Sequence, residues 1–390
     1  MSDVIYFDNN ATTRPHQQVI KKVVEAMNLC YANPSSSHTL GVKAKSEMEN
    51  ARKILADALD VSTDQLCFTS GASESNTMIL MGFVEKYGHK NMSTSTGTVR
   101  IITSPIEHAS VLSCCNEITR LAPNFVIDYV DVDKYGIIDL DDLEGKIRRN
   151  TVLITIMAAN NEIGTIQPIT EIGKIARKHN IHFHCDATQV AGKFQIYPSS
   201  SFMDSMSMSA HKAHGPKGIG ALWMRKGCSC ARLIHGGKQE GGRRAGTENV
   251  PGIAGYGEAI RINFLPGNLE KIKALENMRK YIRDAVVKMF DAKINGPPEI
   301  RTKSGRLICL PNTLSFSVPG IDSRKMMKSL AINGVCLNVG SACNLGKRSK
   351  VMQAIGLSED LEAGTFRVSL SIYNTMEECK KFIKILDDLL

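Results

Sequence analysis

Between residues 66 and 224 the chain alternates short apolar runs with stretches of helical period. Runs at 66–69, 99–103, 125–130, 151–157, 181–185 and 219–224 have the length and composition of buried strands. Apolar positions over 78–84, 109–121 and 169–179 recur as they do along one face of a helix. Strands and helices in this alternation predict a mostly parallel sheet covered by helices, an α/β fold. Two helices precede it: 17–29, with Val19, Val23 and Met27 at helical spacing, and about 42–59, charged along one face. The character changes near 255–266. Pro266-Gly267 breaks the chain, and Leu269, Ile272, Leu275, Met278, Ile282 and Val286 then follow every three or four residues, as in one long amphipathic helix. Beyond it, strand-like runs at 307–310, 313–318 and 365–370 and helices near 323–332 and 376–389 predict a smaller α+β unit. The expected division is a large α/β domain over 16–262 and a small domain of 1–15 with 263–390. No internal repeat is present.

A chain of 390 residues can hold two such units, and its 43% hydrophobic and 22% charged content is ordinary for a globular protein. No run approaches the roughly 20 apolar residues of a membrane span. The first residues lack a basic segment followed by an apolar core, so no targeting peptide and a cytoplasmic location are expected. The 11 cysteines are scattered, which suits a reducing compartment better than a disulfide framework. Cys228-Ser-Cys230 lacks a second pair at zinc-site spacing, so no metal site is expected. The formal charge of +9 is dispersed and accompanies no nucleic-acid motif, so a solvated surface is expected, with no nucleic-acid or membrane partner.

Candidate chemistry lies at the ends of the apolar runs. In Met206-Ser-Met-Ser-Ala-His-Lys212-Ala-His-Gly-Pro216, a lysine stands among small residues before a glycine-rich turn. A lysine that forms a Schiff base needs such a setting, because its amine must be partly desolvated or near other cations. Many lysines before a Gly-Pro turn are ordinary surface residues. Asp186 ends the run 181–185, at the carboxyl end of a strand, where α/β folds bind ligands. An aspartate beside a pyridine nitrogen keeps that nitrogen protonated; paired with a Schiff-base lysine, this is the pattern of a pyridoxal phosphate site. Taken alone, Asp186 can equally be a helix cap. Ser70-Gly-Ala-Ser-Glu-Ser-Asn76, between a strand and a helix, offers backbone N–H groups and the positive end of a helix dipole to a phosphate. The loop lacks the lysine spacing of a nucleotide-binding P-loop.

These segments, taken with the rest, resemble the cysteine desulfurases of the NifS/IscS class, within the fold-type-I pyridoxal-phosphate enzymes. The similar stretches run from Tyr6-Phe-Asp-Asn-Asn-Ala-Thr-Thr13 through Phe68–Asn76, Glu107-His108, Asn160-Asn-Glu-Ile-Gly164, Asp186-Ala-Thr-Gln189, Ser209-Ala-His-Lys212, Gly242-Arg-Arg-Ala-Gly-Thr-Glu-Asn249 and Gly340-Ser-Ala-Cys343 to Phe366-Arg-Val-Ser-Leu370. The resemblance implies a large domain with a seven-stranded type of sheet, a smaller α+β domain carrying a mobile cysteine loop, and the cofactor pyridoxal 5'-phosphate. It implies that Lys212 binds the cofactor aldehyde and moves protons at the substrate Cα, that Asp186 pairs with the ring nitrogen, that Gln189 bonds the ring oxygen, and that His108 stacks on the ring. Ala72, Ser73, Ser209 and His211 would hold the phosphate, and Thr247 would reach it from the other subunit of a homodimer. Asn160 and Arg367 would hold the carboxylate of L-cysteine, and Asn160 would also touch the cofactor. Cys343 would take the sulfur as a persulfide, releasing alanine, and pass it to an iron–sulfur scaffold or another acceptor; it could also ligate a transferred iron–sulfur cluster. Lys347, Arg348 and Lys350 would favour its thiolate. Around Cys343 the chain departs from the class: Asn344-Leu-Gly-Lys-Arg-Ser-Lys350 is shorter and more basic than usual, and Asn338-Val339 stands where two serines are common. The alternatives are a selenocysteine lyase or another pyridoxal-phosphate lyase or aminotransferase, and a binding partner that keeps the fold without turnover.

Overall fold

The computed structural model describes residues 4–88, 97–264, 268–339 and 348–390. After a two-residue strand β1 (Ile5–Tyr6), the chain lays down β2 (Leu66–Thr69), β3 (Val99–Thr103), β4 (Phe125–Tyr129), β5 (Thr151–Thr155), β6 (His182–Asp186), β7 (Ser205–Ser209) and β8 (Gly220–Met224). These seven pair in the order β2-β8-β7-β6-β5-β3-β4. The neighbours from β7 through β4 are parallel, and β8 runs antiparallel to both β7 and β2. All but β8 therefore point their carboxyl ends to one edge of the sheet, where ligands bind in open α/β sheets. Helices Ala72–Tyr87, Ala109–Leu121 and Ile169–Lys178 cover the sheet, and Ile154, Phe183, Met206, Met208 and Trp223 are wholly buried within it.

Strand β7 differs from the sequence expectation. Ser205-Met-Ser-Met-Ser209 is fully buried in mid-sheet although every second residue is a serine. Met206 and Met208 enter the main core on one side. On the other side, Ser205 Oγ and Ser207 Oγ lie 2.9 and 3.3 Å from the ring nitrogens of His184, so the hydroxyls stay hydrogen-bonded inside the sheet.

The second unit has its own core. Strand β9 (Lys293–Asn295) pairs antiparallel with β10 (Thr313–Ser317), and so does the fourth in chain order, β12 (Thr365–Ser369); β11 (Val335–Cys336) pairs parallel with β1. Helices Asn268–Phe290 and Met376–Leu389 pack on them through Met278, Ile282, Val286, Phe382 and Leu386. The run 307–310 is no strand. Only isolated bridges form there, Leu307 to Arg301 and Cys309 to Thr165, because its backbone joins loops of both units. The N-terminal segment stitches the units together. Ile5 and Phe7 lie in the second core, with Phe7 edge-on to Phe382 at 5.6 Å, while Asn10 bonds Asn161 O and Thr313 Oγ1. Among the described residues, no helix is long and apolar enough to cross a membrane, and no group of three or more His, Cys, Asp or Glu is placed to hold a metal ion.

Candidate active site

At the carboxyl edge of the sheet lies a cavity of about 500 Å³, walled by Ala72, Ser73, His108, Asn161, Asp186, Thr188, Gln189, Ser209, His211, Lys212 and Arg367 among others. A larger cleft of about 760 Å³, around Lys45, Arg52 and Lys238, holds none of the residues expected to carry chemistry. The positions follow from the strand ends: β2 leads into the turn before Ala72, β3 into His108, β5 into Asn161, β6 ends at Asp186, and β7 ends at Ser209 and leads into the turn of Lys212.

One end of the cavity suits an anion. Gly71 starts the helix Ala72–Tyr87 without any side-chain cap, which leaves the first backbone N–H groups without a partner from a capping side chain. Gly220 permits the tight seating of this turn, since a Cβ there would stand 2.6 Å from Gly71 Cα. The Ser209 and Ser73 side chains and His211 complete this end. Burial and the nearby Lys212 push the His211 ring down to about 4, so it is neutral at pH 7.

Asp186 lines the cavity and is buried. Its Oδ1 accepts from the Thr188 N–H at 3.0 Å and its Oδ2 from Asn76 Nδ2 at 2.8 Å. Asn76, wholly buried, joins the expected site residues. Its Oδ1 lies 3.0 Å from His184 Nε2, and its Nδ2 also donates to Ser110 Oγ, which is 2.9 Å from His108 Nδ1. Because Nδ1 of His108 also accepts from the Ser110 N–H, the ring carries its proton on Nε2. Burial lowers the affinity of His108 for a second proton. A polar residue on an otherwise apolar helix face, four positions after Ala72, was the available signal. Behind His108, burial pushes the Glu107 carboxyl up to about 8; its Oε1 accepts from the Met157 N–H, and its Oε2 has no partner.

Lys212 is half-buried and donates to Asn10 O at 2.5 Å and Ala11 O at 2.9 Å. Gln189 Nε2 donates to the same Asn10 O at 3.2 Å. From the second unit, Arg367 reaches the cavity with 2% of its surface exposed. It donates to Asp8 Oδ1 at 2.7 Å and Asn161 O at 3.2 Å.

The expected role of Asn160 is corrected by its surroundings. Its Nδ2 donates to Ile106 O at 2.9 Å, and its Oδ1 accepts from the N–H groups of Glu162 and Ile163. Every polar atom of that side chain is spent on shaping the turn, and the cavity wall is formed by its neighbour Asn161. Thr247 is exposed and is absent from the wall of its own chain's cavity. The loop before it is held to β2 by Glu240, which pairs with Arg52 and accepts from the Phe68 N–H at 2.7 Å.

Cys343 lies outside the described residues. Of the described chain on either side, Asn338 exchanges backbone bonds with Arg367 of the cavity wall, and Ser349 Oγ donates to Glu162 Oε2 at 2.7 Å. Arg348, expected to support a thiolate, instead pairs with Glu359 and Glu362. That charge is largely neutralised where it stands.

The polar atoms left over fit a pyridoxal phosphate. Thr188 Oγ1 and Arg367 Nε are buried at the cavity without partners, Asp186 is an acceptor held in the wall, and an uncapped helix end faces the same space. The aminotransferase class-V family model matches residues 5–382. The chain belongs to this family. Among its relatives, a protein named cysteine desulfurase IscS from Dictyoglomus turgidum is 38% identical over 100% of this chain and 95% of its own. A solved structure described as a NifS-like protein superposes with a TM-score of 0.89 at 37% identity, over 99% of both chains. Another, described as SspA in complex with cysteine, gives 0.80 at 33% identity, over 95% of this chain and 100% of that one.

Proposed function

We propose that the chain is a pyridoxal-phosphate-dependent cysteine desulfurase: L-cysteine and the Cys343 thiol give L-alanine and a persulfide on Cys343. The observation that carries this reading is the convergence of Asp186, Lys212, an uncapped helix end and a buried arginine on one cavity. The bound cofactor would draw electron density from the substrate and so weaken its bonds at Cα and Cβ. The Ala72 and Ser73 N–H groups, with Ser209 and His211, would hold the phosphate, aided from the partner subunit of a homodimer by Thr247. Asp186 would hold a proton on the ring nitrogen, Gln189 would bond the ring oxygen, and the neutral His108 ring would lie against the ring face. Lys212, which would bind the cofactor aldehyde, would move the proton at Cα once displaced from it.

Arg367 would engage the substrate carboxylate with its planar fork. Asn161, which lines the cavity where Asn160 does not, would stand beside it. The sulfur atom would pass from Cβ of L-cysteine to Sγ of Cys343, the S–S bond forming as the C–S bond breaks, and Cβ would gain a proton as alanine forms. The persulfide would then serve an acceptor protein, such as an iron–sulfur scaffold, in the cytoplasm. Relatives named cysteine desulfurase, and one solved with cysteine, support this choice of substrate.

The test is alanine and sulfide release from L-cysteine with a reductant present. Wild type is expected to release both. Lys212→Ala is expected to lose about 10²–10⁴-fold, and Cys343→Ala to retain bound cofactor but release no sulfide. A Cys343→Ala variant as active as wild type would falsify the persulfide reading.

A further inference from the structure

Lys193 is the one lysine on the turn 187–194 that follows Asp186 and carries Gln189. Gly192 makes the turn possible. Its φ is +82°, and a Cβ there would stand 2.6 Å from the Ala213 Cβ, beside Lys212. The turn thus packs directly onto the lysine loop. Lys193 lines a small cavity of about 40 Å³, formed by Phe194, His214, Asn263, Leu275 and Asn312 among others, and its ammonium reaches Gln189, which lines the active-site cavity.

No carboxylate lines that small cavity. Among the described residues, Lys193 forms no ion pair, and its one side-chain hydrogen bond goes to Gln189 Oε1, at 3.1 Å. A half-buried ammonium without a counter-ion is costly and calls for a compensating role. Burial, together with the nearby Lys212 and Arg367 charges, lowers Lys193 to about 7.

We infer that Lys193 is a positioning residue that fixes the orientation of the Gln189 amide, so that Gln189 presents an N–H donor to the cofactor. The geometry is restrictive. In its protonated form, which prevails below about pH 7, Lys193 can only donate, so the Gln189 carbonyl faces it. One amide N–H is then taken by Asn10 O at 3.2 Å, and the second is the donor left for an acceptor in the cavity. Without Lys193 the amide could rotate and set its carbonyl against the ring oxygen, turning an attraction into a repulsion between two acceptors. This inference rests on the pyridoxal-phosphate reading of the cavity.

The experiment uses the full chain as apoprotein and as reconstituted holoenzyme, in five forms: wild type, Lys193→Met, Lys193→Arg, Gln189→Ala and the double variant Gln189→Ala with Lys193→Met. Two quantities are read, the dissociation constant of pyridoxal 5'-phosphate and the pH midpoint of its visible absorbance band. Lys193→Met is expected to weaken cofactor binding about tenfold and to move the midpoint toward that of Gln189→Ala. Lys193→Arg, which keeps a charged donor, is expected to recover most of both. In the Gln189→Ala background, Lys193→Met is expected to add less than about twofold, because the residue acts through the amide. Equal effects of Lys193→Met in both backgrounds, or none in either, overturn the inference while leaving the cofactor reading in place. Wild type without a visible band overturns the cofactor reading, and this inference with it. Melting of the apoproteins separates a loss of fold from a loss of orientation.

Discussion

At the Asp186 end of the cavity, both carboxylate oxygens are served by donors held in regular structure, the turn after β6 and the helix Ala72–Tyr87. At the Arg367 end, a buried guanidinium is held by one carboxylate, Asp8, and one carbonyl, and its Nε has no partner. The difference matches what each end would meet. The ring nitrogen of a resident cofactor is a permanent partner, so its acceptor can be fixed in advance by Thr188, Asn76 and His184. A substrate carboxylate comes and goes, so its receptor needs a resident ion pair that can be shared or exchanged. Electrostatic preorganisation is strongest where nothing has to reorganise during turnover.

The sharpest way to break this comparison is at its fixed end. Asp186→Asn keeps the volume and removes the charge, and is expected to lower alanine formation roughly 10³-fold, measured on holoenzyme at saturating cofactor. A loss of less than tenfold would mean that the carboxylate is not the partner of the ring. At the exchangeable end, Arg367→Lys replaces a planar fork by a point charge. It is expected to lower kcat/KM for L-cysteine about 10²-fold, chiefly through KM, while cofactor affinity stays as in wild type. If KM is unchanged, the substrate carboxylate binds elsewhere.

Asp8→Asn sharpens the contrast further. It leaves a buried arginine short of a counter-ion, at a cost of about 1–3 kcal/mol, so the melting temperature should fall. L-alanine, whose carboxylate can take the vacated position, should restore more of the lost stability than it adds to wild type. Equal increments in the two proteins would show that Asp8 is purely structural.

Asn76→Leu removes the donor to Asp186 and the acceptor for His184. It is expected to weaken cofactor binding about tenfold in an equilibrium titration, less than any change to Asp186 itself. An unchanged constant would show that Thr188 alone holds the carboxylate.

The smallest effect belongs to Glu107. Its folded value, near 8, lies above the unfolded one, so between about pH 4.5 and 8 the folded state binds more protons. Its contribution to stability is therefore fully present below the unfolded value and declines as pH rises through 8. Thermal melts of wild type should drop by a few degrees between pH 6 and 8.5 relative to Glu107→Gln. Parallel curves would place the carboxyl in contact with water.

The fold was legible because most strands are uninterrupted apolar runs with glycine or polar residues at their ends, and the long helix 268–290 shows its buried face in Leu275, Met278, Ile282 and Val286. What escaped has local physical causes. Strand β7 hides behind alternating serines, whose burial is tolerable only because His184, distant in sequence, bonds two of them. The helix Leu140–Lys146 buries Leu143 alone, too little for a periodic signal. In the site, Lys212 and Asp186 could be singled out because their chemistry is unusual for where they stand. Asn160 and Asn161 could not be told apart by sequence, since adjacent asparagines are distinguished only by which one the turn consumes. Asn76 and Lys193 act on other side chains, and contacts of that kind appear only when the chain is folded.

The most direct measurement is a single turnover of holoenzyme with L-cysteine and no reductant, followed by mass analysis of the peptide that contains Cys343 and by alanine quantification. The account predicts one alanine for each persulfide, all of it on Cys343, and neither product above background in Cys343→Ser. Alanine formed in equal amount by Cys343→Ser, or a persulfide carried on another cysteine, would contradict it.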